Sequence, residues 1–402
     1  MDVIIRNATI AGAPGPRDIG IRNGSIVEVT EGITANGAEE IDAAGSFVSP
    51  PFVDVHFHLD SVWTRVPNAS GTLREGIDNW YRYKQEKLTV EDVYDRASRY
   101  CAYAFSMGIQ AIRSHVDVCD PELRGAQALT RLKKEIRDWM DIQLVAFPQD
   151  GLFSSPDVLQ RLNAALDMGV DVVGGIPHNE ETTERGRESI RELMAIAADR
   201  GLLVDMHCDE SDDPNSRHVE VLAAETRRLG MGGRVAASHV TSMATMDPYY
   251  VSRQLIPLMS SAGVQVITNP LINVHLGGHF SHPAHRAMAP LKELRAAGIP
   301  VACAQDCNED PWYPLGNADM IEVAKMAAHI SHMMGIDELP RMLETVTTIP
   351  AAIMHLDGYG LEPGRRANLV IFDAGDATET LRISAPRRMI MRDGVVKQSL
   401  VE

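Results

Sequence analysis

Residues 47–60 read FVSPPFVDVHFHLD, and the run from Phe52 to Asp60 decides the fold. It is apolar enough for a buried strand, yet it carries two imidazoles, His56 and His58. Alternate residues of a strand share a face, so the two rings point the same way, about 6.5–7 Å apart. Seven further apolar runs follow: 109–117, 142–149, 170–178, 202–210, 234–242, 264–270 and 300–307. Helical stretches separate them, such as RGAQALTRLKKEIRDWM and RESIRELMAIAADRG, with apolar residues three and four apart. Eight strand–helix alternations predict an α/β fold, a (β/α)8 TIM barrel over residues 50–355. One strand more or less would leave an open doubly wound sheet as the rival.

The flanks read differently. Residues 1–49 and 356–402 hold short strand-like runs, with turn signals at RNGS and RDGV. Chain ends are often close in space. The two flanks are therefore expected to form the two parts of one small β-sandwich domain.

The 402 residues carry a net charge of −17, which argues against a nucleic-acid partner. No run approaches the ~20 apolar residues of a membrane span, and no secretion signal is read at the start. Five scattered cysteines suit a reducing cytoplasm better than a disulfide framework.

A barrel gathers its reactive groups at the C-terminal ends of its strands. Six of the eight runs end in such residues: His56 with His58, His115, Gln149, His207 with Glu210, His239, and Asp306. Three histidines (56, 58 and 207) and Asp306 make a mixed nitrogen–oxygen set suited to one Zn2+ or Fe2+, with a position left for water. A divalent ion would make hydroxide available near neutral pH. Glu210 is placed to shuttle the proton, and His239 to orient or deprotonate the water or to hydrogen-bond the anionic intermediate. Gln149 offers an amide that matches a substrate N–H beside a C=O. His115 and His178 read as supporting or structural groups. The fourth run, VDVVGGIP, lacks the lysine that bridges two ions in barrels of this kind, so one metal is expected.

In combination, PPFVDVHFHLD, AFPQDG, VVGGIPH, DMHCDE, ASHVTSM and DPWYPLGNADM resemble bacterial cytosine deaminase, of the metal-dependent amidohydrolase superfamily. The resemblance runs to about residue 375. It implies a barrel flanked by a β-sandwich and one metal on His56, His58, His207 and Asp306. It implies Gln149 on the pyrimidine carbonyl and N–H, with Glu210 protonating the ring nitrogen beside the attacked carbon. His239 would help activate water, while Leu73 and Trp312 line the pocket. The implied reaction is hydrolytic deamination of a cytosine-type free base at C4 by metal-activated hydroxide. The resemblance also implies a cytoplasmic homo-oligomer acting on a small-molecule nucleobase.

Two positions depart from the cytosine enzyme: Cys307 stands for its second aspartate, and Gln305 for its histidine. A thiol packs against a methyl group where a carboxylate does not. In the family resembled, a small residue here goes with a wider pocket at ring position 5, so the resemblance implies a 5-substituted substrate such as 5-methylcytosine, with cytosine also accepted. A nucleophilic or redox role for Cys307 is the other reading. The rivals for the whole chain are a pterin or other cyclic-amidine deaminase, an ammelide-type amidohydrolase, and a non-catalytic binding barrel.

Overall fold

The computed structural model describes residues 1–397. Its chain order is β1 (Val3–Ile10), β2 (Arg17–Arg22), β3 (Ser25–Thr30), β4 (Glu39–Asp42), β5 (Phe47–Ser49), then the eight strands predicted above. These are β6 (Phe52–Phe57), β7 (Ile109–Asp117), β8 (Asp141–Phe147), β9 (Val172–Gly175), β10 (Leu203–Cys208), β11 (Val235–His239), β12 (Gln265–Thr268) and β13 (Val301–Cys303). Finally come β14 (Leu369–Phe372), β15 (Arg387–Arg392) and β16 (Val395–Lys397).

Strands β6 to β13 pair in sequence order, all parallel. A parallel bridge between Phe57 and Asp306 closes the ring. The fold is thus a (β/α)8 barrel, and the open doubly wound sheet is excluded. Its lower interior is filled by Val53, Val55, Ala111, Ala236, Ile267 and Ala302, and Ile353 packs against them from below.

Residues before β6 and after β13 share a second, mixed sheet of eight strands, in which β5 lies between β1 and β14. Both turn signals are realised. Asn23 and Gly24 join β2 to β3, Asp393 and Gly394 join β15 to β16, and all four have positive φ.

The 14-residue helix α1 (Leu73–Glu86) is inserted after β6. The Thr72 side chain caps it by accepting from Glu75 N–H, while the Glu75 carboxylate accepts from Ala69 and Ser70 N–H. Gly76 permits a close approach: a Cβ there would sit 2.4 Å from the Trp312 indole. Buried Lys84 pins the C-terminal end of α1, 2.6 Å from Asp117 and 2.7 Å from Asp150. Trp80 Nε1 donates to the same Asp117 at 2.9 Å. Burial opposes charge on Lys84, but the two carboxylates outweigh it and raise its pKa.

Removing one partner from a buried ion cluster leaves uncompensated charge, so Lys84→Met should cost about 3–5 kcal/mol, read from urea unfolding. A loss under about 1 kcal/mol would mean that the cluster behaves like a solvent-exposed pair.

Candidate metal centre and active site

His56 lies at the end of β6 with His58 two residues on, His207 lies at the end of β10, and Asp306 follows β13. Strand β6 is irregular in its pairing between Asp54 and Phe57, yet both of its histidines reach one point. His207 Nε2 is 3.2 Å from the Nε2 atoms of both His56 and His58. Asp306 Oδ1 is 3.3 Å from His58 Nε2 and 3.5 Å from His56 Nε2. A tetrahedral ion with bonds of about 2.1 Å holds its donors about 3.4 Å apart. Four of the six donor separations among the predicted ligands thus match those of a transition ion, and His239 lies close enough to His56, His207 and Asp306 to join the same cluster.

The protonation pattern agrees. Ser238 Oγ donates to Asp205 Oδ1 at 2.5 Å, so its lone pair faces His56 Nδ1 at 3.0 Å. Nδ1 must then carry the proton, and His56 Nε2 turns a bare lone pair toward His207 and Asp306. Arg113 Nη1 completes the chain by donating to Asp205 Oδ2 at 2.9 Å. His207 stacks on Phe147, with ring centroids 4.1 Å apart. Burial, then the neighbouring His56, pushes its pKa well down, so it stays neutral as a ligand must. Burial works against ionisation of Asp306. The surrounding His56 and His239 outweigh it and hold the carboxyl far below its ordinary value. These residues could hold one divalent cation.

The remaining predicted residues surround this cluster. Gln149, Leu73, Cys307, Trp312, Glu210 and His239 all line one cavity beside it. Gln149 is held by its backbone: its N–H donates to Phe147 O at 3.0 Å, and its carbonyl accepts from Asn179 Nδ2 at 3.4 Å. The side-chain amide is left on the cavity wall. Trp312 N–H donates to Asp310 Oδ1 at 3.0 Å, and its indole lies 6.1 Å from the His58 ring. Cys307 is buried, and burial followed by the charge of Asp306 pushes its thiol well up. Both oppose formation of the thiolate, the form that nucleophilic or redox chemistry uses.

Burial, then repulsion from Asp306, likewise raises Glu210 well above the ordinary carboxyl range. Its Oε1 lies 3.3 Å from His239 Nδ1. His239 Nε2 is 3.7 Å from Asp306 Oδ2. His239 and Asp306 both have positive φ, 67° and 71°, a costly conformation held where strand ends meet the cavity.

His115 lies beneath His56, ring centroids 4.1 Å apart. Burial depresses its pKa to about 3, and neither ring nitrogen has a hydrogen-bond partner among the described residues. His178 lines the cavity, with its pKa pushed by burial to about 4. Sequence reasoning missed Ser238, Asp205 and Arg113, which act through other residues. It also missed Asn269 and Asn273, which contact Asp306 and His239. Ile77, Asn179 and Ile272 line the cavity but carry no motif.

Residues 39–398 match the family model described as "Amidohydrolase family". The chain is 28% identical to N-isopropylammelide isopropyl amidohydrolase of Pseudomonas sp. (strain ADP), covering 100% of this chain and 98% of that one. It is 29% identical to pterin deaminase of Rhizobium rhizogenes, covering 98% and 92%. The structure of 5-methylcytosine deaminase from Klebsiella pneumoniae superposes with a TM-score of 0.95 at 42% identity, covering 98% of this chain and 97% of that one.

Ser238→Ala should lower zinc affinity about 10–100-fold, because partners behind a ligand tune it by that amount. Competition with a chromogenic chelator measures this; unchanged affinity would show that Ser238 does not orient His56.

Proposed function

This chain belongs to the amidohydrolase family, and from that premise we propose that it deaminates a cytosine-type free base, 5-methylcytosine first and cytosine second. As a metal-dependent amidohydrolase it acts by hydrolysis; the substrate, the ion and the residue roles are our reading. His56, His58, His207 and Asp306 hold one ion, Zn2+ or Fe2+. When bound, such an ion lowers the pKa of water from ~15.7 to about 7.

The side chains do the rest. Gln149 pairs its amide with the ring carbonyl and the neighbouring N–H. Glu210 is kept protonated by burial and by Asp306. It delivers that proton to the ring nitrogen beside C4 as water adds there. Asp306, which lines the pocket, takes the proton that water gives up as it adds and passes it to the amino group, which departs as ammonia; Glu210 recovers the remaining hydroxyl proton as the carbonyl forms. Leu73 and Trp312 close apolar walls on the base and keep bulk water away.

The observation that carries the substrate is Cys307, a buried neutral thiol on the cavity wall. A carboxylate there would have to be desolvated against a 5-methyl group; a thiol packs on it. The full-length similarity to a 5-methylcytosine deaminase supports the same reading. The curated relatives name a pterin and a triazine, and the same assay distinguishes those substrates.

Ammonia release should be measured on 5-methylcytosine and cytosine, and on pterin, with amine release from N-isopropylammelide and metal analysis of the same sample. We expect kcat/KM to be highest for 5-methylcytosine. Cys307→Asp should shift preference toward cytosine by about 10–200-fold, equivalent to ~1–3 kcal/mol. Turnover of the pterin or the triazine alone would overturn the assignment. Glu210→Gln should lower kcat about 10²–10⁴-fold with metal content unchanged; retained turnover would remove Glu210 from the proton path.

A further inference from the structure

The seventh barrel strand, β12, ends without a charged or metal-ligating residue. Its sequence continues Thr268-Asn269-Pro270-Leu271-Ile272-Asn273, and Pro270 opens the helix Pro270–Leu276. Both asparagines are buried and turn into the centre described above.

Asn273 has a fixed amide. Its Oδ1 accepts from Asn269 N–H at 3.0 Å and from Thr268 Oγ1 at 3.3 Å. Backbone N–H is a donor only, so this side of the amide must be the oxygen. The other side, Nδ2, then faces His239 Nδ1 at 2.8 Å. A proton on His239 Nδ1 would set two N–H groups against each other at that distance. Glu210 Oε1 is the other neighbour of Nδ1, at 3.3 Å, and is too far to outweigh the shorter contact. Nδ1 is therefore the acceptor, and the proton of the neutral ring sits on Nε2.

Asn269 fixes the companion group. Its Nδ2 donates to Asp306 Oδ2 at 3.0 Å. The same nitrogen is 3.4 Å and 3.3 Å from the two nitrogens of His239, nearly equidistant from both. It lies against the ring and does not compete for the Nδ1 lone pair. One short segment thus holds both His239 and Asp306.

We propose that Asn273, backed by Asn269, is a positioning residue that locks His239 as a hydrogen-bond donor through Nε2. This rests on the deaminase reading above and sharpens it. His239 presents an N–H to the pocket, 3.7 Å from Asp306 Oδ2. It gives a hydrogen bond to oxygen that gathers charge there, and it does not take the proton from water. Proton movement is left to Asp306 and Glu210.

The test is the tautomer itself, read in the zinc-loaded protein labelled with 15N-histidine. Long-range 1H–15N spectra are recorded, and His239→Asn identifies the signal. We expect His239 Nδ1 at the shift of an unprotonated ring nitrogen and Nε2 at that of a protonated one. Asn273→Asp replaces the donor with an acceptor and should move the proton to Nδ1. It should lower kcat about 100-fold, the usual loss for one misdirected donor, with KM and zinc content within about twofold. Asn273→Leu should leave a tautomer mixture and an intermediate kcat. A protonated Nδ1 in the unsubstituted protein would overturn the proposal, as would an unchanged tautomer in both variants. If the unsubstituted protein deaminates no pyrimidine, the functional reading fails, while the tautomer measurement still decides the role of Asn273.

Discussion

The closure of the barrel is the constraint on which everything else rests. Its seam is made by the backbone bond from Asp306 N–H to His56 O, at 2.9 Å, and by the bridge at Phe57. These are the chain segments that carry His56, His58 and Asp306. The first and last strands meet only once the ring is complete, so the site exists only in the closed barrel. His207 arrives from the far side, on β10, and supplies the donor that the seam lacks. Barrel geometry therefore does two tasks at one place: it satisfies the edges of the sheet and it brings anionic and neutral donors together.

Below the seam the interior changes character over a short distance. The bottom is apolar, with Val53, Val55 and Ile267 against Ile353. Arg113 spans the transition: it donates to the Ile353 carbonyl at 3.0 Å and to Asp205 at 2.9 Å. From Asp205 the chain of bonds runs through Ser238 to His56. A buried ion pair adds little net stability. Here its value is directional, since each donor leaves the next group one choice of proton position. The same logic operates on the opposite side of the cavity, where a backbone N–H orients an asparagine and the asparagine orients a histidine.

What could be read from the sequence follows from how each signal is written. Strands β6 to β13 were legible because apolar runs alternate with helical periodicity. The convergence of His56, His58, His207 and Asp306 was legible because each ends or follows such a run, and a parallel barrel gathers those ends at one face. The pairing of the two flanks was legible only as proximity; the insertion of β5 between β1 and β14 has no local signal. Asn269 and Asn273 were invisible for another reason. They are uncharged, sit beside a proline at a strand–helix junction, and look like ordinary turn and cap residues. Arg113 and Asp205 lie in the middle of apolar runs, where a charge has meaning only beside its partner. Lys84 carries no signal in the sequence, and only its contacts with buried Asp117 and half-buried Asp150 reveal its role.

The mixed sheet built from both flanks has a consequence for how the molecule is made. Strand β5 pairs with β1, which is made just before it, but its other edge is completed by β14. At about 5–20 residues per second, the roughly 320 intervening residues take on the order of 15–60 seconds to synthesise. Through that interval the nascent chain carries an open strand edge, available to any other extended segment nearby. Biosynthesis thus leaves the first-made strands waiting for almost the last ones, and encounters between neighbouring nascent chains on one message are most hazardous there.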